Sequence, residues 1–141
     1  MEIISFGEFE KLRLQDFFEK HDIQNLERWE FMGDLWIGDA VGFTEWLRLE
    51  KEPTKTRSIS VDLRKHDNDI LNRIFSTLKL PLKKGQKIED LAAIFGQPVG
   101  FDKFVADRIN YDFEIGKIEK FTISCTILNE GGLIYFVMMR K

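Results

Sequence analysis

The side chains that could do chemistry in this sequence are few: two histidines, one cysteine and a short run of carboxylates. Asp62, His66, Asp67 and Asp69 fall within eight residues. A calcium loop of that kind needs a central glycine and a terminal glutamate, and both are missing. His21 and His66 are each followed by Asp, and neither has the spacing of a metal-ligand pair. Cys125 alternates with Phe121, Ile123 and Ile127, so it is expected to face a core and to behave as a small apolar residue. Lys79, Lys83, Lys84 and Lys87 surround Gly85, where they either hold an anion at the start of the next helix or solvate a loop. There is no serine nucleophile elbow, no phosphate-cradling glycine loop and no dinucleotide fingerprint. The expectation is a protein with no catalytic residues, no metal and no cofactor. A small enzyme, if there is one, would be built around Glu45, Asp62 and His66.

Other residues suit recognition better than catalysis. Val41, Phe43, Leu47 and Leu49 share one face of an expected strand over 41–50, and Glu45 falls on that same face. A buried unpaired carboxylate is costly, so Glu45 is paired, or a bulge breaks the alternation, or the sheet opens there. Trp46 falls on the opposite face, where an exposed tryptophan is a typical binding anchor. Trp36 is bracketed by Asp34 and Asp39. Either both tryptophans are core and the carboxylates mark turns, or Asp34, Trp36, Asp39, Glu45 and Trp46 form a partner-binding surface.

The charge distribution bears on which partner. The net charge is −3 over 141 residues, but residues 1–50 carry 5 basic and 12 acidic side chains and all three tryptophans. The remaining residues carry 16 basic and 12 acidic side chains. An acidic first third repels phosphate, which argues against nucleic acid, and it complements a basic protein. The longest apolar stretch, Leu133 to Met139, is far short of the ~20 residues that span a membrane. The start lacks the basic and apolar regions of a signal peptide, and a single cysteine forms no internal disulfide, so a cytoplasmic protein is expected.

The elements that must position these residues follow from periodicity. One domain over 1–141 is expected from length alone. Phe6 to His21 has helical spacings, one or two short helices long. Val41 to Glu50 and Arg57 to Arg64, joined by a polar turn with Pro53, predict a β-hairpin with Ile59, Val61 and Leu63 inward. His66-Asp67-Asn68-Asp69 offers capping chemistry for a helix carrying Ile70, Leu71, Ile74, Phe75 and Leu78. A second helix spans roughly Ile88 to Phe95, with Gly96 as its C-terminal cap and Pro98 beyond. Residues 109–115 and 121–127 alternate as strands, Asn129-Glu130-Gly131-Gly132 makes a turn, and Leu133–Met139 predicts a central strand covered on both faces. The fold class is α+β: one antiparallel sheet, made of a hairpin and a C-terminal three-stranded meander, packed with N-terminal and central helices.

Two resemblances add to this reading. Leu80-Pro81-Leu82-Lys83-Lys84-Gly85-Gln86, Ile88-Glu89-Asp90-Leu91 and Ile94-Phe95-Gly96-Gln97-Pro98 resemble a turn, helix and G-x-P pattern found in β-lactamase-inhibitor-like folds and outer-membrane assembly lipoproteins. That resemblance implies a helix ahead of an antiparallel meander, and a scaffolding or assembly role. The whole chain, with Gly33-Asp34-Leu35 and Gly42-Phe43-Thr44-Glu45-Trp46-Leu47, is similar to small bacterial immunity proteins of polymorphic-toxin and contact-dependent growth inhibition systems. That similarity implies a cytoplasmic, non-catalytic protein that binds and neutralises a cognate toxin.

Overall fold

The structure, a computed structural model, describes residues 2–12, 17, 35–38, 56 and 58–141. The first helix, α1, spans Phe6–Glu10. Ser5 caps it by accepting from the Glu8 amide, and the Ser5 hydroxyl donates back to the Glu8 carboxylate at 3.1 Å. Just beyond it, the Thr56 hydroxyl donates to the Leu12 carbonyl at 2.7 Å. The Thr56 amide donates to Glu10 O at 2.9 Å, which ties this segment to the chain just before the second strand.

Strand β1 is Leu35–Gly38 and β2 is Ser58–Asp62. A 3₁₀ turn over Leu63–Lys65 comes next. Helix α2 spans Asn68–Leu78 and is capped by Asp67, which accepts from the Ile70 amide at 3.0 Å. It ends at Lys79, whose left-handed φ of 61° turns the chain out. Helix α3 spans Ile88–Phe95 and stops at Gly96, φ 87°. Strands β3, Gly100–Asp102, β4, Arg108–Ile115, β5, Phe121–Leu128, and β6, Gly132–Arg140, complete the chain.

These strands form one antiparallel sheet in the order β1-β2-β6-β5-β4-β3. The described helices lie on one face of it. Phe75 of α2 meets Phe136 of β6 edge-on at 5.3 Å, Phe95 of α3 meets Phe113 of β4 at 5.2 Å, and Phe9 of α1 meets Phe121 of β5 at 5.0 Å. Strand β5 alternates without a break between buried and half-buried residues, and the buried set is Phe121, Ile123, Cys125 and Ile127. Residues of the three described helices and of β2, β4, β5 and β6 join in one apolar core. The opposite face carries the polar half of the same alternation. Among the described residues, no helix is long and apolar enough to cross a membrane.

The helical reading of 6–21 is met over Phe6–Glu10, and most of 11–21 lies outside the described residues. Three expectations change. The expected hairpin partner of the second strand was 41–50, but β2 pairs with β1 on one side and β6 on the other. With both edges occupied, β2 has no ladder position for another strand, and 41–50 lies outside the described residues. The strand itself ends at Asp62, and Leu63 reaches the core from the 3₁₀ turn. Finally, β6 is central but not covered on both faces: Phe136 and Met138 are fully buried, whereas Tyr135 and Val137 are half-buried and Met139 is 40% exposed.

Candidate protein interface

Of the five residues expected to bind a partner, the described residues include one. Trp36 lies in β1, with its Cα in register with Ser60 of β2. Asp34, Asp39, Glu45 and Trp46 lie outside the described residues. What the fold does fix is the location of β1: it is the outermost strand on one side of the sheet, paired only with β2 among the described residues. Edge strands present unpaired backbone groups, which makes them natural sites for adding another chain.

On the face opposite the described helices, β4 and β5 carry a lattice of short polar side chains. Ser124 donates to the Asp112 carboxylate at 2.6 Å, and the Asn110 side-chain amide donates to the same oxygen at 3.4 Å. Thr126 donates to the Asn110 carbonyl oxygen at 3.1 Å. These partners satisfy one another across β4 and β5. At the end of the face, Asp62 is only 5% exposed and accepts a fork from Arg64, through Nε at 3.1 Å and Nη2 at 3.1 Å. That hydrogen bond raises the Arg64 pKa above its ordinary value. Asp107 and Arg108 form a second adjacent pair at 2.8 Å, which lowers the Asp107 pKa.

Of the alternative catalytic constellation, Asp62 and His66 lie among the described residues. Asp62 is engaged by Arg64, Asp67 is spent on the cap of α2, and the His66 carbonyl accepts from Lys84 Nζ at 2.6 Å. Glu45 lies outside the described residues. Among the described residues no group of three His, Cys, Asp or Glu side chains is placed to hold a metal ion. The lysine cluster is also not arranged as an anion site. The Lys87 amide at the start of α3 donates to Asp90 at 2.9 Å, and Glu89 and Asp90 make that first turn acidic, so the helix supplies its own anion. Cys125 is fully buried, and burial pushes its thiol up to about 12, the reverse of an activated nucleophile.

At the opposite margin, β3 pairs only with β4 among the described residues. Around it lie large apolar side chains in solvent: Val99 at 68% exposure, Phe101 at 68%, Phe104 at 90% and Val105 at 50%. Sequence reasoning missed this patch. The signal was present as four large apolar residues between Pro98 and Asp107, but they follow neither the helical nor the strand period, so the pattern marked no element.

A comparison with known proteins finds no family model, no characterised protein and no solved structure that matches the chain.

Proposed function

We propose that this protein is a non-catalytic binding protein of the immunity type, which neutralises a cognate, basic protein toxin by stoichiometric occlusion. The observation that supports it is that β1, which carries Trp36, pairs only with β2 among the described residues and so stands at the margin of the sheet they form. In the sequence that strand is bracketed by Asp34 and Asp39 and belongs to the acidic first fifty residues. An aromatic anchor with a carboxylate rim suits a basic surface: the anchor sets the dissociation rate, and the rim sets the association rate and its salt dependence. The reading places the protein in the cytoplasm, with no nucleic acid and no membrane as its ligand.

The experiment is binding kinetics at two ionic strengths against a toxin domain encoded beside the gene. Trp36→Ala and Trp46→Ala are expected to speed dissociation, with losses of ~2 kcal/mol for a true anchor. Charge reversal at Asp34 or Asp39 is expected to slow association and flatten its salt dependence. If all four variants bind like the parent while changes at Lys83, Lys84 and Lys87 abolish binding, the basic loop is the interface and the reading fails.

One observation favours a second reading. Helices α2 and α3 followed by the antiparallel run β3 to β6 give the helix-then-meander order that the β-lactamase-inhibitor-like resemblance implies. On that reading the protein is an assembly or scaffolding component. Co-purification from its host separates the two: a toxin in one-to-one complex supports the first, a multiprotein assembly the second.

A further inference from the structure

We infer that β3 is the interface of a homodimer, pairing with β3 of a second copy across a two-fold axis to join two six-stranded sheets into one. The inference concerns the margin opposite β1 and does not depend on the toxin reading.

Two phenylalanines and two valines at the exposures given above leave about 450 Å² of apolar surface per copy, counting ~200 Å² for a whole phenylalanine. A patch of that size is in the range that marks an interaction site on a monomer. Two such patches covering each other remove about 900 Å², close to the ~1,000 Å² that a specific interface needs. Pro98, Tyr111 and the strand backbones add to that total.

A two-fold axis normal to a sheet keeps each residue on its own face, so a symmetric antiparallel pair must be centred on one residue. Centring on Asp102 or on Lys103 sets like charges directly opposite each other, which is destabilising. Centring on Gly100 runs Asp102 into Pro98 of the other copy, which has no N–H to give a ladder. Centring on Phe101 avoids both. All three residues of β3 then pair with β3 of the other copy: Phe101 with Phe101, and Gly100 with Asp102 in both directions. Phe101 already lies beside Tyr111, with ring centroids 6.4 Å apart, and the two are in register between β3 and β4. The dimer therefore carries a row of four aromatic residues across the dyad, with Phe104 and Val105 of each copy flanking it. The two Asp102 carboxylates come to diagonal positions, with their Cα atoms ~7–8 Å apart, where their repulsion weakens the pairing without preventing it.

The test is sedimentation velocity over a wide concentration range, together with cysteine cross-linking. The parent is expected to shift from monomer to dimer as concentration rises. Phe101→Asp is expected to weaken dimerisation more than tenfold, and Asp102→Asn to tighten it severalfold. Phe101→Cys is expected to oxidise to a linked dimer, because its own copy lies directly opposite. Phe104→Cys is expected to stay unlinked, because its copies are held far apart on either side of the axis; the buried, protonated Cys125 does not compete. Both mutated phenylalanines are exposed, so circular dichroism should be unchanged. Hydrogen exchange on the parent gives a variant-free measure: the 100–102 amides should gain protection with concentration. A parent that stays monomeric at its highest soluble concentration overturns the inference. So does a dimer indifferent to Phe101→Asp, equal linking by the two cysteine variants, or an edge that becomes protected only when a different protein is added.

Discussion

Arg140, at the end of the last strand, forms an ion pair with Glu10, at the end of the first helix, and each side chain is only 20% exposed. The Arg140 guanidinium also lies 5.5 Å from the centre of the Phe6 ring, and Phe6 in turn meets Phe121 edge-on at 4.9 Å. A helix of five residues has too little backbone hydrogen bonding to hold itself. What keeps α1 in place is this pair, the aromatic contacts under it and the Thr56 hydrogen bonds. Arg140→Ala is expected to cost about 2 kcal/mol, a charged hydrogen bond reduced for partial exposure. Arg140→Lys should recover only part of that, because an ammonium lacks the planar fork. Urea denaturation of Arg140→Ala, Glu10→Gln and the double variant should give a coupling energy of about 1 kcal/mol; simple additivity would show the pair to be inert.

Two glycines should respond in opposite directions to the same change. Gly132 has a φ of 75°, and a Cβ there would stand 2.2 Å from the Gly85 carbonyl oxygen and 2.7 Å from that of Gln86. Those backbone atoms cannot retreat, because Leu133 N donates to Gln86 O at 2.8 Å. Gly132→Ala is therefore expected to lose 2 kcal/mol or more, roughly the cost of a strained φ plus a displaced loop. Gly7 lies within α1, and a Cβ there meets nothing within 4 Å. Gly7→Ala is expected to gain about 0.5 kcal/mol through helix propensity. Thermal melts of the two variants beside the parent check both signs.

Cys125 should be silent toward thiol reagents in the native state. Its thiol is pushed up to about 12 by burial, with a smaller contribution from Asp112. The unfolded thiol ionises near ~8.5. The folded state thus holds a proton that the unfolded state releases, and the stability this gives is complete below ~8.5 and declines as pH rises toward the folded value. Denaturation midpoints of the parent should fall more steeply above ~8.5 than those of Cys125→Ala. A thiol that reacts as quickly in native protein as in urea would contradict the placement.

Glu114 gives the acid-side counterpart. Lys141 donates to its carboxylate at 2.6 Å and Lys120 lies 3.6 Å away, so its pKa is held below the ordinary carboxylate range. The unfolded chain takes up a proton first as pH falls. The contribution is present above the ordinary range, and it is lost as pH falls through the lowered folded value. Glu114→Gln should flatten the acid limb of the stability profile, and added salt should do the same to the parent because the pair is exposed. An unchanged acid limb in low salt would show that the lysines contribute nothing.

Local signals made much of the described fold legible. Helix α3 is bounded as expected because Gly96 and Pro98 end it, and β4 and β5 follow from strict alternation over 109–115 and 121–127. The identity of a strand's neighbour is not local. The alternation of Ile59 and Val61 marks β2 as half-buried, but nothing in it encodes pairing with Met138 and Phe136, far along the chain. Alternation also assigns Asp62 to the outer face without revealing that it is buried and held by Arg64. Of the candidate site, only Trp36 lies among the described residues, in β1. The exposed apolar edge went unread because interaction surfaces, unlike core faces, impose no period.

The pairing of β2 with β6 has a consequence for how the chain is made. The two strands are about seventy residues apart, so at ~5–20 residues per second a ribosome delivers β6 roughly 4–14 seconds after β2. During that interval Ile59 and Val61 lie on a nascent strand whose inner neighbour does not yet exist. The central strand of the sheet arrives last in chain order, so the two halves of the sheet are joined late, in a single closing step. Until then the nascent chain presents β2 as a client for chaperones, and a pause in translation between β2 and β6 prolongs that exposure.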